Sequence, residues 1–406
     1  MKKTSHWMLI SSLLLLFSCY LPTGCRDVDN QSSVSIIIVD TKKSYPKNEL
    51  ILQDFMNVEY IPLETTDDFL TQGIVLAVGK DVMLVKNAKN DGTIFVFDSN
   101  GKALRTINRR GQGGEEYAYL WQIMLDDENN EIFINSSGKI LVYDLFGKFK
   151  RSLPYKFKGG TDFMSIINFD KGSILCNDNS FASNDSIKNP PFVIISKQDG
   201  NILKEIAISS QQKIEELKRI NHNDMVLTTY GKKFPDSPIT QFHDSWLLTV
   251  YSNDTVFRYT RDHKLIPFMV RTPSIESDNA EYFISSVFFT DRYYFIHTEK
   301  SEPEAKGDNP DNAYLFYPMK YLMYDRQEKK IYENTVYNAD FASKRIVRMF
   351  PRNTSNDEIA FWAKIDAYEL IEAYEKGQLK GKLKDIASKL DAEDNPVIML
   401  VKYNCP

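Results

Sequence analysis

A unit that recurs five times along the chain, and the alternating strand pattern inside each copy, predict an all-β fold. A pair of strand candidates at the two ends predicts how the copies close into a ring. Together they point to a six-bladed β-propeller of four-stranded antiparallel blades, its ring closed by N- and C-terminal strands. The clearest copies are residues 94–105 (IFVFDSNGKALR) and 140–151 (ILVYDLFGKFKR), which lie 46 positions apart and agree at six of twelve positions. Each reads as a strand, a tight turn and a second strand. Gly101 and Gly147 suit a turn position with positive φ.

Two earlier strands precede each pair: about 74–78 and 82–86, then 122–125 and 131–135, then 165–169 and 173–176. Weaker copies of the pair follow at 192–206, 256–270 and 321–332. With Phe97, Tyr143, Ile195, Tyr259 and Tyr324 taken as equivalent, the spacings are 46, 52, 64 and 65, so the unit persists while its insertions grow. The sixth blade draws on residues 58–63 and 396–401, one strand from each end, which removes the open edges of an unclosed ring. Two stretches depart from the repeat. Residues 209–220 read as a short helix, with Ser209 and Gln212 as a capping pair and Ile214, Leu217 and Ile220 on one face. Residues 363–390 read as a helical insertion, with Ile365, Leu370, Ile371 and Tyr374 on a face and Gly377 at a helix end.

The N-terminus carries an address. Lys2 and Lys3 precede an apolar run at 8–17, shorter than the roughly 20 residues a membrane-spanning helix needs. That is the layout of a secretory signal. Residues 16–19 (LFSC) resemble a bacterial lipobox, with Cys19 as the lipidated residue; Cys25, after PTG, is the alternative. The expected organisation is a signal peptide at 1–18, a polar tether at 19–34 and the propeller at 35–406. A diacylated Cys holds a bilayer through buried methylenes at about 0.8 kcal/mol each. The expected location is the cell envelope, lipid-anchored to a membrane, on the periplasmic or surface side of the outer membrane.

Charge narrows the partners. Lys+Arg is 50 and Asp+Glu is 55, a net charge of −5 over 406 residues, so no nucleic acid is expected as a partner. The 42% hydrophobic and 13% aromatic content is enough to bury a core. Four Cys and five His show no paired metal spacing, and His222, His243, His263 and His297 are irregularly scattered, so no metal is assigned. No nucleophile elbow, phosphate loop or Cys-x-x-Cys motif occurs, so no cofactor and no catalytic residue is assigned either.

Residues 107–117 (INRRGQGGEEY) lead into strand candidates near 123 and 129–134 and then the Val142-Tyr143-Asp144 strand. This segment resembles an NHL-type repeat, with Gly114 at the place of the usual Pro. More closely, the chain resembles the six-bladed β-propeller lipoproteins of Bacteroides-like bacteria, over roughly residues 55–335 and the last strand. The resemblance implies a fold and brings no catalytic residues. It also implies that Tyr117 packs between blades, since its NHL-type equivalent is a buried aromatic.

A meander places its second-to-third turns and its blade-to-blade links on one face. The longest insertions, 108–119, 177–191, 207–238 and 299–320, all fall there, and long loops on a rigid scaffold are where binding resides. The candidate ligand-binding residues on this loop face are Arg109, Arg110, Glu116, Phe181, Tyr230, Phe234, Tyr314, Phe316 and Tyr317. Aromatic rings beside Arg and Glu suit a glycan or a peptide. The expected function is therefore a binding module for a glycan, peptide or partner protein. One alternative is a propeller lyase or hydrolase with its site at the central channel mouth. Another is a subunit of a cell-envelope assembly using the 363–390 helices.

Overall fold

A computed structural model describes residues 36–404, apart from 121, 137, 157–162, 179–189, 210–216, 223–224, 231–236, 278–280, 310–311 and 353. The expected signal and tether, Cys19, Cys25, Phe181 and Phe234 lie outside the described residues, as does the side chain of Tyr230.

The fold is a six-bladed β-propeller. Blade I pairs Ile74–Val78, Val82–Lys86, Thr93–Asp98 and Ala103–Asn108 in order. Blade II pairs Gln122–Asp126, Glu131–Ser136, Lys139–Asp144 and Phe149–Pro154. Blade III pairs Phe163–Asn168, Ser173–Asp178, Phe192–Ser196 and Ile202–Ile206. Blade IV pairs Ile239–Phe242, Ser245–Leu248, Thr255–Thr260 and Leu265–Thr272, and blade V pairs Tyr282–Phe289, Tyr293–Lys300, Met319–Asp325 and Lys330–Asn338. Before reaching the ring, the chain adds Ile37–Asp40 parallel to the outer strand of blade IV and Lys47–Ile51 parallel to that of blade V.

Burial follows from stacking. Ile94 to Phe97, in a third strand, are all buried, because both faces of a blade lie against neighbours. Ala103–Asn108, in a fourth strand, alternates, because only its inner half is covered. The core consists of six apolar clusters, one per seam between neighbouring blades.

The repeated motif has a mechanical meaning. Asp98 Oδ1 accepts from the backbone N–H groups of Asn100 (2.8 Å) and Lys102 (2.9 Å), and Asp144 Oδ1 does the same for Phe146 and Lys148 (2.9 Å each). Gly101 and Gly147 complete these turns at φ of 85° and 79°. Each glycine also meets the preceding blade. A Cβ at Gly101 would stand 2.2 Å from Pro62 O, and one at Gly147 2.6 Å from Ile107 Cγ2. The motif's final Arg is the matching clasp: Arg105 donates to Leu145 O (3.4 Å) and Arg151 to Lys197 O (2.7 Å), each on the next blade.

Blade VI closes the ring with Ile359–Ile365, Val397–Tyr403 and Met56–Pro62; the last two pair from Met56 opposite Tyr403 to Pro62 opposite Val397. This blade has three strands. Pro62 meets Gly101 as Ile107 meets Gly147, so Met56–Pro62 holds the fourth-strand place and Ile359–Ile365 the second. The first-strand place is taken by irregular chain around residues 348–356, where Thr354 Oγ1 donates to Val78 O (2.8 Å) and Ser355 Oγ to Asp127 Oδ2 (2.7 Å).

Two helix readings need correction. Residues 363–365 are not helical: they finish a strand, and the helices are Ala367–Glu375 and Gly381–Ala387. The periodic face was real, since Leu370 and Leu383 are fully buried against blades V and VI. Residues Leu217–His222 are also a strand, paired with Met225–Tyr230. Ile214, Leu217 and Ile220 matched a helical spacing, but at the four described positions of that reading's end the cross-strand partner decides.

Candidate functional site

The insertions assemble a crown on the loop face. The hairpin Leu217–His222/Met225–Tyr230 leaves the link between blades III and IV. The hairpin Glu304–Lys306/Tyr314–Phe316 leaves the second-to-third loop of blade V. The two pack together, and His222 Nε2 lies 2.7 Å from Gly307 O. Tyr314 projects outward, 54% exposed, with its ring 6.3 Å from that of Phe316. Lys306 Nζ sits 4.5 Å over the Phe316 ring, and Tyr317 follows half-buried.

The Gly-rich segment spends its polar groups on the scaffold. Tyr117 is fully buried; its OH donates to Gly92 O (2.6 Å) and accepts from Arg109 N (2.9 Å), and its ring meets Tyr143 edge-on at 6.0 Å. Arg109 Nε donates to Gly147 O (2.9 Å) on blade II, and Arg110 Nη1 to Asn90 O (2.6 Å). Glu116 accepts from Gly113 N (2.8 Å) and so closes its own loop. Arg109, Arg110 and Glu116 lie in the link between blades I and II, and no contact among the described residues gathers them with Tyr314 and Phe316.

The histidines serve four separate settings. His263 Nδ1 meets Tyr259 OH at 2.9 Å, His243 packs on Phe242 and Phe289, and His222 joins the crown. His297 is 1% exposed, 3.0 Å from Ser286 Oγ through Nδ1, with its ring 4.3 Å from Phe350. Burial, helped by the Arg348 charge, lowers its pKa to about 3, so it stays neutral. Among the described residues no three His, Cys, Asp or Glu side chains gather as a metal site.

A feature the sequence reading missed lies in the seam between blades V and VI. Where blade VI lacks its first strand, a cavity of about 260 Å³ opens between the 345–352 segment and the inner edge of Ile359–Ile365. Buried Phe361, Trp362 and Met399 line its depth. Exposed Arg345, Arg348 and Arg352 stand at its rim. A signal was present: residues 341–356 carry Lys344, Arg345, Arg348 and Arg352 and no acid.

The family model for the domain of unknown function DUF4934 matches residues 36–402. The chain belongs to the DUF4934 family. Among solved structures, this DUF4934 protein is similar to a candidate exported protein of Bacteroides fragilis, at 16% identity and a TM-score of 0.61, covering 91% of this chain and 100% of that one. It is also similar to a DUF4221-family member of Bacteroides vulgatus, at 8% identity and a TM-score of 0.45, covering 86% and 98%. The first likeness agrees with the propeller fold. No curated protein matches the sequence.

Proposed function

We propose that this DUF4934 protein is an exported, lipid-anchored binding module that takes a glycan, a peptide or a partner protein on its loop face. The crown is the observation that supports this most. Two insertions from different blades brace each other and present Tyr314 outward, with Phe316 and Lys306 beside it. Aromatic faces stack on apolar faces of sugars or peptide side chains, while a nearby cation fixes polar groups. Phe181, Tyr230, Phe234 and Tyr317 complete the candidate aromatic set, with Arg109, Arg110 and Glu116 on the separate link between blades I and II. Binding of this kind needs no titrating residue.

A thermal-shift panel of glycan fragments and peptides tests the reading. A ligand at about 100 times its Kd adds about 2.7 kcal/mol of stability. Tyr314→Ala and Phe316→Ala should abolish that shift and leave the unliganded transition in place. A shift that survives both substitutions rejects the crown. The anchor is tested by labelling cells with a fatty acid. Label lost in Cys19→Ala supports Cys19; label lost only in Cys25→Ala moves the anchor there; no label on the native chain rejects it.

A further inference from the structure

We propose that the cavity between blades V and VI binds a small organic anion, a carboxylate or phosphate carried on a flat apolar body. This site is distinct from the crown and does not depend on it.

The charge balance comes first. The lining holds Arg345, Arg348, Arg352 and Lys364 and no acidic residue, in a protein whose net charge is −5. Two of the four cations are neutralised from outside the cavity. Arg345 Nη2 donates to Glu369 Oε2 (2.8 Å), and Lys364 Nζ to Asp366 Oδ1 (2.7 Å). Arg348 and Arg352 have no carboxylate or carbonyl partner among the described residues. Arg348 stacks on the Tyr321 ring at 3.9 Å, which orients its guanidinium without neutralising it. Arg352 has an exposed side chain, yet desolvation lowers the pKa of its guanidinium. Two forked donors without counter-charges are suited to bidentate capture of a carboxylate or phosphate.

The walls set the rest of the ligand. Consecutive residues from Phe361 to Ile365 line the cavity, so the strand presents its edge and not one face. Among the described residues that edge has no ladder partner on the cavity side. Phe350, Phe361 and Trp362 add aromatic surface. At about 260 Å³ the space falls below the roughly 300–1,000 Å³ of drug-sized pockets. It fits a body of about one ring, with its acid group at the arginine rim.

Calorimetric titration of the full-length protein tests this with four probes: benzoate, phenyl phosphate, inorganic phosphate and benzyl alcohol. Saturable binding of benzoate or phenyl phosphate is expected, and which of the two binds tighter identifies the acid group. Inorganic phosphate and benzyl alcohol should bind far more weakly, since each lacks one half of the ligand. Arg348→Gln and Arg352→Gln should each weaken the preferred probe at least about tenfold, the size of one lost charged hydrogen bond. Arg326→Gln, in the third-to-fourth turn of blade V with its guanidinium on Asp291 O, should leave binding unchanged. Unaltered melting transitions would show that the two cavity variants are folded. Four outcomes overturn the proposal: no saturable probe; benzyl alcohol binding as well as benzoate; inorganic phosphate binding as well as phenyl phosphate; or affinity indifferent to both arginines.

Discussion

Between blades I and II, the turn glycine Gly147 lies against Ile107, Arg105 reaches the next blade's Leu145 carbonyl, and Tyr117 and Tyr143 fill the space edge to face. Between blades V and VI, the first strand of blade VI is missing, three arginines gather at a cavity rim, and the aromatic side chains border open volume. Both seams use Arg and aromatics. In the first, the chain's own carbonyls satisfy the cations; in the second, two cations are left for something else. A repeated seam is a solved packing problem copied along the chain. The closing seam joins strands from opposite chain ends, and it is there that the pattern leaves room.

The regular seams should be the least forgiving. Gly101→Ala puts a Cβ 2.2 Å from a backbone carbonyl at a φ of 85°. A cost of about 4 kcal/mol is expected, read by guanidinium unfolding. Gly200→Ala also has positive φ, but its nearest neighbour stands at 3.1 Å, so about 1 kcal/mol is expected there. Equal costs at the two positions would mean that inter-blade contact does not set the price of the turn.

The closing seam should respond to acid instead. His297 has a folded pKa of about 3, against about 6.5 when unfolded. Between these values the unfolded chain binds a proton that the native protein does not. The associated stability is complete above pH 6.5 and falls as the pH drops toward 3. On the order of 3 kcal/mol should be lost between pH 7 and pH 4 through this one group. His297→Phe should flatten the pH dependence of the unfolding free energy across that window, whatever it does to stability at pH 7. A slope unchanged by the substitution would place the acid sensitivity elsewhere.

The same contrast explains what could be read from sequence. The Asp-x-x-Gly turn and the closing Arg recur in blades I and II, and these two copies 46 residues apart showed the blade. The ring closure was legible because residues 58–63 and 396–401 read as short strands at the two ends of the chain. The irregular inner segment of blade VI has no alternation to detect. The hairpin at 217–230 was misread because three apolar positions fit a helix, while its strand character depends on pairing with Met225–Tyr230. For the candidate sites, parity brought the two crown insertions to one face. The acid-free basic stretch at 341–356 was the one trace of the cavity in the sequence, because the lining comes from segments 338–352, 361–365 and residue 399, which only the fold brings together.

The smallest expected effect bears most directly on the comparison. Arg151 makes a bidentate bond to Glu131, 2.8 and 2.7 Å, and also donates to Lys197 O across the seam. Glu131 is nearly buried, and these contacts lower its pKa despite desolvation. Arg151→Gln should cost about 2 kcal/mol, softened because Lys150 also pairs with Glu131. Arg352→Gln removes a cation with no counter-charge among the described residues, so it should change stability by less than about 0.5 kcal/mol, and in the favourable direction if the rim arginines repel one another. Parallel unfolding of the two variants checks this. Equal losses would mean that Arg352 is structural, and that the fold, not a ligand, keeps the charge at the rim. A loss confined to Arg151 separates the arginines that clasp blades from those left open toward a cavity.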